Sequence, residues 1–302
     1  MKTIIFGAGS DLGVHIDGAS LGPNQLINDL QSFYKGEIKL YKQDENVIKS
    51  RNLSDRRKNE YEIDNFNTAL YNGIVEKTKD EVFPITIGGD KTVSIASSLA
   101  SAEKFKNDNI GMIWVSAHAD YNTFESTVTG NIAGLSASAI NGYKNHELRY
   151  YHNGNVIQVA KSVILGVRNI EDSEKENLKY SGINVITQQE IREKGIENAI
   201  NEAFEIVTNR TKGVHINYCL DIIDPDIAPG ISIPVFDGLT EDEAMNINKE
   251  ILKHINNIVS YDLLDLNPLK DENRKTEQIA LNILAQVINA ANNKGKTFER
   301  KY

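Results

Sequence analysis

The stretch Trp114-Val-Ser-Ala-His-Ala-Asp-Tyr-Asn-Thr123 joins a buried apolar run to a group of polar side chains. Side-chain direction repeats every two residues along a strand, so Ser116, His118 and Asp120 share one face. In a site that holds two metal ions, all three positions of such a face are expected to be ligands. Ser116 carries a neutral hydroxyl. The stretch therefore predicts a buried strand that ends at a polar site with one ligand position altered.

The composition is that of an ordinary globular protein, with 302 residues, 40% hydrophobic and 25% charged. A net charge of −9, with lysines and arginines spread along the chain, argues against a nucleic-acid surface. No apolar run approaches the ~18 residues needed to span a bilayer, and the N-terminus lacks a signal-peptide core. The single cysteine, Cys219, excludes an intrachain disulfide. We therefore expect a cytoplasmic protein without membrane or nucleic-acid partners.

Short apolar runs rich in β-formers alternate with amphipathic stretches along the whole chain. Strands are predicted over residues 3–6, 83–87, 111–116, 156–160, 162–166, 185–187, 213–219 and 258–264. Helical patterns cover residues 93–106, 196–208, 241–257 and 276–291, and a further helix is expected to begin at Pro23. Several strands are almost free of polar residues, which is typical of parallel strands covered on both faces. The fold class predicted is α/β: a single three-layer doubly wound domain over residues 1–302, with a mostly parallel sheet flanked by helices.

Two local features are predicted between these elements. Thr240 is followed by Glu243, which is the spacing of a capping box at the start of the helix over residues 241–257. The segment Lys42–Asp64 is highly charged. This charge predicts an exposed, mobile connection.

Polar clusters follow four of the predicted strands. They are Gly88-Gly-Asp-Lys91, Ser116–Asp120, Cys219–Asp224 and Asp265-Leu-Asn-Pro268. In doubly wound folds the functional groups lie on loops that leave the carboxyl ends of the strands. We therefore expect these four clusters to converge on one site.

The segment Ile4–Gly13 has the strand and spaced glycines of a dinucleotide-binding fingerprint. That motif requires a helix to begin at once, so that the helix N-terminus meets the pyrophosphate. Gly18, Gly22 and Pro23 oppose such a helix. A glycine-rich loop beside the pocket is the favoured interpretation, and nucleotide binding remains an alternative.

Taken together, these clusters resemble the ureohydrolase superfamily of arginases, agmatinases and formimidoylglutamases. The resemblance keeps order and spacing through residues 18–23, 87–90, 114–122, 129–131, 165–168, 220–225, 238–240, 265–268 and 271–280. It implies an arginase-like fold and a homo-oligomer, commonly a trimer or hexamer. It also implies two Mn²⁺ ions, whose bridging hydroxide hydrolyses guanidino or formimino compounds.

Six metal-ligand positions are implied by the resemblance, and this chain keeps three of them: His118, Asp120 and Asp221. The substituted positions carry Lys91 in place of a histidine, and Ser116 and Cys219 in place of the two carboxylates that bridge both metals. Mn²⁺ prefers hard anionic oxygen donors, whereas a thiolate suits zinc better.

The substitution by lysine has the largest electrostatic consequence. An ammonium about 4 Å from a dication, at an effective dielectric of ~20, is repelled by roughly 8 kcal/mol. We therefore expect no binuclear manganese site and no cofactor. We predict that the Lys91 ammonium occupies the vacated position and pairs with Asp120, with Asp221 as a second candidate. The carboxylates are expected to keep the lysine charged despite its burial.

Further site residues follow from the same resemblance. The family's proton-transfer histidine is Ala133 here, and its guanidinium-binding glutamate is Asp265. Asp265 and Lys91 are thus the candidate catalytic residues. The substrate-binding candidates match residues near the amino-acid end of the substrate in arginases: Asn122, Thr129, Asn131 and Glu171.

Three functions remain open. The first is an arginase-family pseudoenzyme that binds a small amino or guanidino compound, or acts as a structural or regulatory partner. The second is a divergent hydrolase of C–N bonds in linear amidines. It would use one softer ion, such as Zn²⁺ on His118, Asp221 and Cys219, or Lys91 as base or nucleophile. The third is nucleotide binding through residues 7–13.

Ordinary structural roles also remain open for the candidate residues. Lys91 is then a solvated lysine at a strand end, and His118 a hydrogen-bonded core histidine. Cys219 is then a small buried apolar residue. Asp120 and Asp221 are then carboxylates that hold strand-end loops.

Overall fold

Eight parallel strands form one sheet in the computed structural model, which describes residues 1–50, 52, 54–78, 81–105, 109–144, 146–149 and 156–294. The strands are β1 (Lys2–Gly9), β2 (Glu37–Lys42), β3 (Val82–Gly88), β4 (Gly111–Val115), β5 (Ser162–Val167), β6 (Asn184–Thr187), β7 (Val214–Cys219) and β8 (Ile258–Leu264). Their order across the sheet is β2-β1-β3-β8-β7-β4-β5-β6. The order places β3, β8, β7 and β4 side by side in the middle.

Helices cover both faces of this sheet. They are α1 (Gly22–Leu30), α2 (Glu60–Lys77), α3 (Val93–Lys104), α4 (Ser136–Ile140), α5 (Asp172–Ser181), α6 (Gln188–Lys194), α7 (Ile196–Thr208), α8 (Glu241–Lys253) and α9 (Lys275–Asn293). Among these helices of the described residues, none combines the length and apolarity that crossing a bilayer requires.

Alternation along the strands divides the apolar residues between two cores. On β1, Ile5 belongs to the core that includes residues of α1, α7, α8 and α9, whereas Ile4 and Phe6 belong to the core that includes residues of α2, α3 and α4. Strands buried on both faces are the reason for the nearly continuous apolar runs of the sequence. The predicted three-layer α/β architecture with a parallel sheet is confirmed.

Most predicted elements are present, but the strand predicted over residues 156–160 is not. Val159–Lys161 forms a short 3₁₀ turn instead, and β5 begins at Ser162. The Ile157 amide donates to the Ile140 carbonyl, and the Ile157 carbonyl accepts from the Asn141 side chain. These bonds hold the buried Ile157 against the end of α4 and leave the run out of the sheet.

The glycine-rich N-terminal loop lacks the helix that a dinucleotide fingerprint requires. Beyond Gly13 the chain makes turns, then a 3₁₀ turn at Ala19–Leu21, and α1 starts at Gly22 with Pro23 in its first turn. The predicted start near Pro23 is confirmed. The backbone around Gly9 and Gly13 is instead packed against neighbouring loops, with no room for a Cβ atom at either glycine.

The charged segment 42–64 differs from the prediction. Lys42 ends β2 and Glu60 begins α2, so both ends belong to regular structure. Lys58 is 4% exposed, and the side chain of Lys49 is 9% exposed. The prediction of an exposed connection is therefore wrong for these two lysines, because a charged side chain is buried where it finds partners.

The start of α8 is a capping box, as predicted. The Thr240 hydroxyl accepts from the Glu243 amide at 3.2 Å, and the Glu243 carboxylate accepts from the Thr240 amide at 2.8 Å. These bonds satisfy two amides that the helix itself leaves without partners.

Replacing Thr240 by Ala should therefore lower the free energy of unfolding by about 1 kcal/mol. Thr240→Ser keeps an accepting hydroxyl and should remain within a few tenths of a kcal/mol of the wild type. Urea denaturation of the three proteins measures the difference. Equal stability of the Ala and Ser variants would show that the cap contributes nothing.

Candidate functional site

The ends of β3, β8, β7 and β4 bring polar residues from four loops into one cavity of about 140 Å³. A cavity of roughly 150 Å³ holds a molecule the size of benzene, so this one admits a small ligand. Its floor is formed by Lys91, His118, Asp120, Asp221 and Asp265. The convergence predicted from the four clusters is present.

Lys91 reaches the floor because the turn that carries it is held by Asp90. The Asp90 carboxylate accepts from the Thr92 amide at 2.8 Å and from the Gly13 amide at 2.6 Å. The first bond is an Asx-type turn, which ends β3 and leads into α3. It also ties the glycine-rich loop to the site. Burial raises the pKa of Asp90 to about 6, although hydrogen bonds from Thr92 and Gly13 oppose the increase.

The ammonium of Lys91 uses all three of its protons on protein oxygens. Nζ lies 2.6 Å from Asp221 Oδ2, 2.9 Å from Asp120 Oδ2 and 2.9 Å from Ser116 Oγ. The residue is only 5% exposed. The predicted pairing with Asp120 is present, and the contact with Asp221 is shorter still. A solvated lysine at a strand end, the structural alternative, does not describe this side chain.

Asp221 is the most fully satisfied acceptor of the site. Besides Lys91, its carboxylate accepts from His118 Nδ1 at 2.8 Å, from the Ala117 amide at 3.1 Å and from the Ser116 hydroxyl at 3.1 Å. Burial acts to raise the pKa of Asp221, but Lys91 and His118 outweigh it and hold the pKa well below its usual value. Asp221 is therefore a carboxylate anion at neutral pH.

His118 is oriented by the same carboxylate. Because Asp221 is ionised, it can only accept, so Nδ1 of His118 must carry the proton in their bond. Nε2 has no hydrogen-bond partner among the described residues, and the side chain lines the cavity. The ring is 17% exposed. His118 therefore presents one free nitrogen to a ligand.

Asp120 adopts a left-handed backbone conformation, with φ of 52°. Its carboxylate accepts from Lys91 and from the buried indole nitrogen of Trp114 at 3.1 Å. Such a conformation is uncommon for a residue other than glycine. These bonds, together with the Ala137 and Ser138 amides that donate to the Asp120 carbonyl, keep the residue in place.

The third carboxyl group, Asp265, is less well partnered. Its nearest oxygen lies 3.7 Å from Lys91 Nζ, and its backbone has φ of 79°. Burial raises the pKa of Asp265 well above its usual value, with Lys91 opposing and Asp221 adding to the shift. Asp265 thus faces the cavity as a carboxyl group whose protonated form is favoured by its surroundings.

Cys219 is fully buried beside Asp221 and Asp265. Its Sγ lies within 4.8 Å of ligand oxygens of Asp221 and Asp265. Burial raises the pKa of the Cys219 thiol well above its usual value, although Lys91 opposes the shift. His118, which was predicted to join Cys219 and Asp221 in binding one softer ion, is not part of this close group.

The rim of the cavity contains the four predicted substrate-binding residues: Asn122, Thr129, Asn131 and Glu171. Asn122 donates to the Glu171 carboxylate at 3.1 Å. Asn131 lies 3.0 Å from Nδ1 of His15. The structure therefore places all four in the lining of the cavity that contains Lys91.

Glu174 also lines the cavity, and His15 contacts the rim residue Asn131; the sequence analysis identified neither. Glu174 is 3% exposed, lines the cavity and accepts from the Tyr121 amide at 2.7 Å. Burial raises its pKa to about 8. The spacing of three residues from Glu171, at the start of a helix, is the signal that could have indicated it. His15 has no such signal, because its contact with Asn131 joins two distant loops.

These features define a protein of the ureohydrolase type, with a pocket at the carboxyl edge of a parallel α/β sheet. A model of the Arginase family matches residues 1–289, and the chain belongs to the arginase family. It is 29% identical to the arginase of Bacillus caldovelox over 305 residues, which covers 95% of this chain and 98% of that protein. It is 31% identical to the arginase of Staphylococcus aureus (strain COL), covering 93% and 94%. The crystal structure of the Bacillus caldovelox arginase superposes with a TM-score of 0.84 at 26% identity, over 95% of this chain and 97% of that one.

Lys91→Met tests how much the ion cluster contributes to stability. The variant leaves Asp120 and Asp221 buried without their cation. We expect the free energy of unfolding at pH 7 to fall by about 3–5 kcal/mol, as when one partner of a buried pair is removed. Denaturant titration measures the loss. Lys42→Met, which removes a charge from an exposed position, is the control and should change stability little.

The loss of unfolding free energy in Lys91→Met should depend on pH. In the wild type the pKa of Asp221 is lowered, so its contribution is present at neutral pH and fades only as the pH falls through the folded-state value. In Lys91→Met, burial without the cation raises the carboxyl pKa values. The folded variant then takes up protons as the pH falls, so the difference between the two proteins should shrink between pH 7 and about pH 4. A difference that is constant with pH would contradict this account.

Proposed function

We propose that this arginase-family chain has the Lys91 ammonium in place of the paired manganese ions, and that it binds a small amino or guanidino compound without hydrolysing it. The observation that carries the proposal is the set of three contacts, 2.6–2.9 Å long, from Lys91 Nζ to Ser116, Asp120 and Asp221. All three side chains stand at positions that the family resemblance assigns to metal ligands.

The donor set does not fit two Mn²⁺ ions. A bridged pair of dications needs several anionic oxygen ligands to offset its charge. Ser116 supplies a neutral hydroxyl, and Cys219 supplies sulfur. Asp120 and Asp221 are already paired with the Lys91 ammonium. A metal would therefore have to expel a buried ammonium whose pKa, despite desolvation, is held well above its usual value by Asp120, Asp221 and Asp265.

The same facts weaken a catalytic role for Lys91 itself. A lysine acts as base or nucleophile only in its neutral form, which requires a lowered pKa. Here the pKa is raised, and each proton of the ammonium is donated to a protein oxygen. Ala133 also leaves the cavity without the histidine that the family uses for proton transfer.

The remaining groups favour a cationic ligand. The single positive charge of Lys91 is shared between two carboxylates, Asp120 and Asp221, and Glu171 also lines the cavity. Burial favours the protonated forms of Asp265 and Glu174, and a bound cation would favour their ionisation. The acidic excess attracts an ammonium or guanidinium group. Nε2 of His118 and the amides of Asn122 and Asn131 add directed hydrogen-bonding groups. A small molecule with an amino or guanidino group matches this lining.

Metal uptake tests the proposal directly. Wild-type protein prepared with added Mn²⁺ should hold far less than one ion per chain and should not release urea from L-arginine. Lys91→His, Ser116→Asp and Cys219→Asp together should raise Mn²⁺ uptake toward two ions per chain, because they restore the missing ligand types. Elemental analysis measures both proteins, with Lys91→Met as a control that removes the ammonium but adds no ligand. Two tightly held Mn²⁺ ions in the wild type would end the proposal.

The second candidate is hydrolysis of a C–N bond in a linear amidine. Two observations favour it: the relatives are named arginase, and Cys219, Asp221 and Asp265 offer three close ligand atoms. Zn²⁺ tolerates such a mixed set.

If the protein is a zinc-dependent hydrolase, we expect it to hold about one Zn²⁺ per chain after preparation with that ion and to release urea from L-arginine. Cys219→Ser should then abolish the binding, because the sulfur ligand is lost. Our first proposal instead predicts little zinc in either protein. Retention of zinc by the Ser variant would contradict this second candidate.

A further inference from the structure

The charged segment between β2 and α2 contacts two loops that border the cavity. We call residues 10–18 the first rim loop and residues 123–131 the second rim loop. The first contributes Val14 to the cavity wall, and the second contributes Thr129 and Asn131. The loops also touch each other, because Asn131 Nδ2 in the second lies 3.0 Å from His15 Nδ1 in the first.

Lys49 organises the first rim loop around its ammonium. Nζ donates to the carbonyl oxygens of Asp11 at 2.9 Å and Ile16 at 3.2 Å. It forms ion pairs of 2.9 Å with the carboxylates of Asp11 and Asp17. The Asp11 carboxylate in turn accepts from the Gly18 amide at 2.8 Å. One cation therefore satisfies carbonyl groups along the loop that no helix or strand engages.

Lys58 and Arg56 hold the second rim loop in a similar way. The Lys58 ammonium donates to the Thr129 carbonyl, and the Arg56 guanidinium donates to the Glu125 carbonyl. Gly130 has φ of +70°, and a Cβ there would lie 2.0 Å from the Asp55 carbonyl oxygen. The loop thus lies directly against the backbone of the charged segment.

Asn59 completes the contacts on the side of the first rim loop. Its side-chain nitrogen donates to the Leu12 carbonyl at 2.7 Å, and its oxygen accepts from the Ser50 amide at 2.8 Å. The residue has a left-handed backbone, with φ of 56°, at the start of α2. Asn59 therefore links the end of the charged segment both to Leu12 in the first rim loop and to Ser50 earlier in the segment.

We propose that Lys49, Arg56, Lys58 and Asn59 form a clamp that fixes both rim loops before any ligand binds. The members are positioning residues, since none of them lines the cavity. A rim that is already ordered spares the ligand the entropy of ordering it. The clamp therefore sets affinity through the placement of Thr129 and Asn131.

Amide hydrogen exchange of the ligand-free protein tests the clamp. Lys49→Met should speed exchange in the first rim loop, and Lys58→Met in the second, by about ten-fold, because each loses hydrogen bonds from a charged donor. Lys58→Arg keeps charge and donors and should restore protection. Lys42→Met removes a charge from the same segment. The Lys42 side chain forms no hydrogen bond or ion pair with either loop among the described residues, so this variant should leave both loops unchanged. Equal exchange in all these variants would overturn the proposal.

A second variant covers the case in which the Met variants do not fold. Asn59→Gly suits the left-handed backbone and removes only the side-chain bonds to Leu12 and Ser50. We expect faster exchange confined to the first rim loop. Exchange that stays at the wild-type rate would count against the clamp.

Calorimetric titration with L-arginine and L-ornithine measures ligand affinity, which would not change if the clamp residues only stabilised the fold. Where the wild type binds either compound, Lys58→Met should weaken binding about ten-fold while Lys42→Met leaves it unchanged. Unchanged affinity in Lys58→Met would overturn the positioning role. This titration rests on the proposed function, whereas the exchange experiment does not. Failure of the wild type to bind therefore bears on the function alone, and the clamp is still decided by exchange.

Discussion

The buried ammonium of Lys91 is the charge on which the floor of the cavity depends. Three carboxyl groups, on loops that follow β4, β7 and β8, lie around it. Buried carboxylates this close would repel one another without a cation. Their common partner comes from the loop after β3, so one side chain joins four neighbouring strands at their carboxyl ends. The Lys91 ammonium therefore determines both the position of the floor carboxyl groups and the charge of the floor.

Lys49 applies the same principle at the edge of the cavity. Its ammonium is surrounded by carbonyl oxygens and carboxylates of one loop, as that of Lys91 is surrounded by side chains of three loops. Loops at the end of a parallel sheet leave many acceptors without regular partners. In both places a lysine side chain donates hydrogen bonds to these acceptors. One buried ammonium, that of Lys91, therefore lies at the floor of the cavity, and a second, that of Lys49, lies behind the first rim loop.

The fold and the floor of the site were largely predictable, whereas the contacts of the rim were not. The floor residues follow strands whose apolar runs are evident, and strand ends meet at a known edge of the sheet. The contact between Lys91 and Asp120 follows from their opposite charges once the family resemblance places both at metal-ligand positions. By contrast, β2 lies at the sheet edge and is only partly buried, so no continuous apolar run marks it. The burial of Lys49 and Lys58 depends on loops far away in sequence, which no local pattern encodes.

The attachment of the Lys91 ammonium to the backbone has a thermodynamic consequence. A free ion in equilibrium with solvent occupies a site according to its concentration, and a scarce ion leaves it vacant. A charge fixed to the chain has a constant effective concentration that dilution does not lower. The Lys91 ammonium is part of the chain, so neither dilution nor a chelator can remove this charge from the floor.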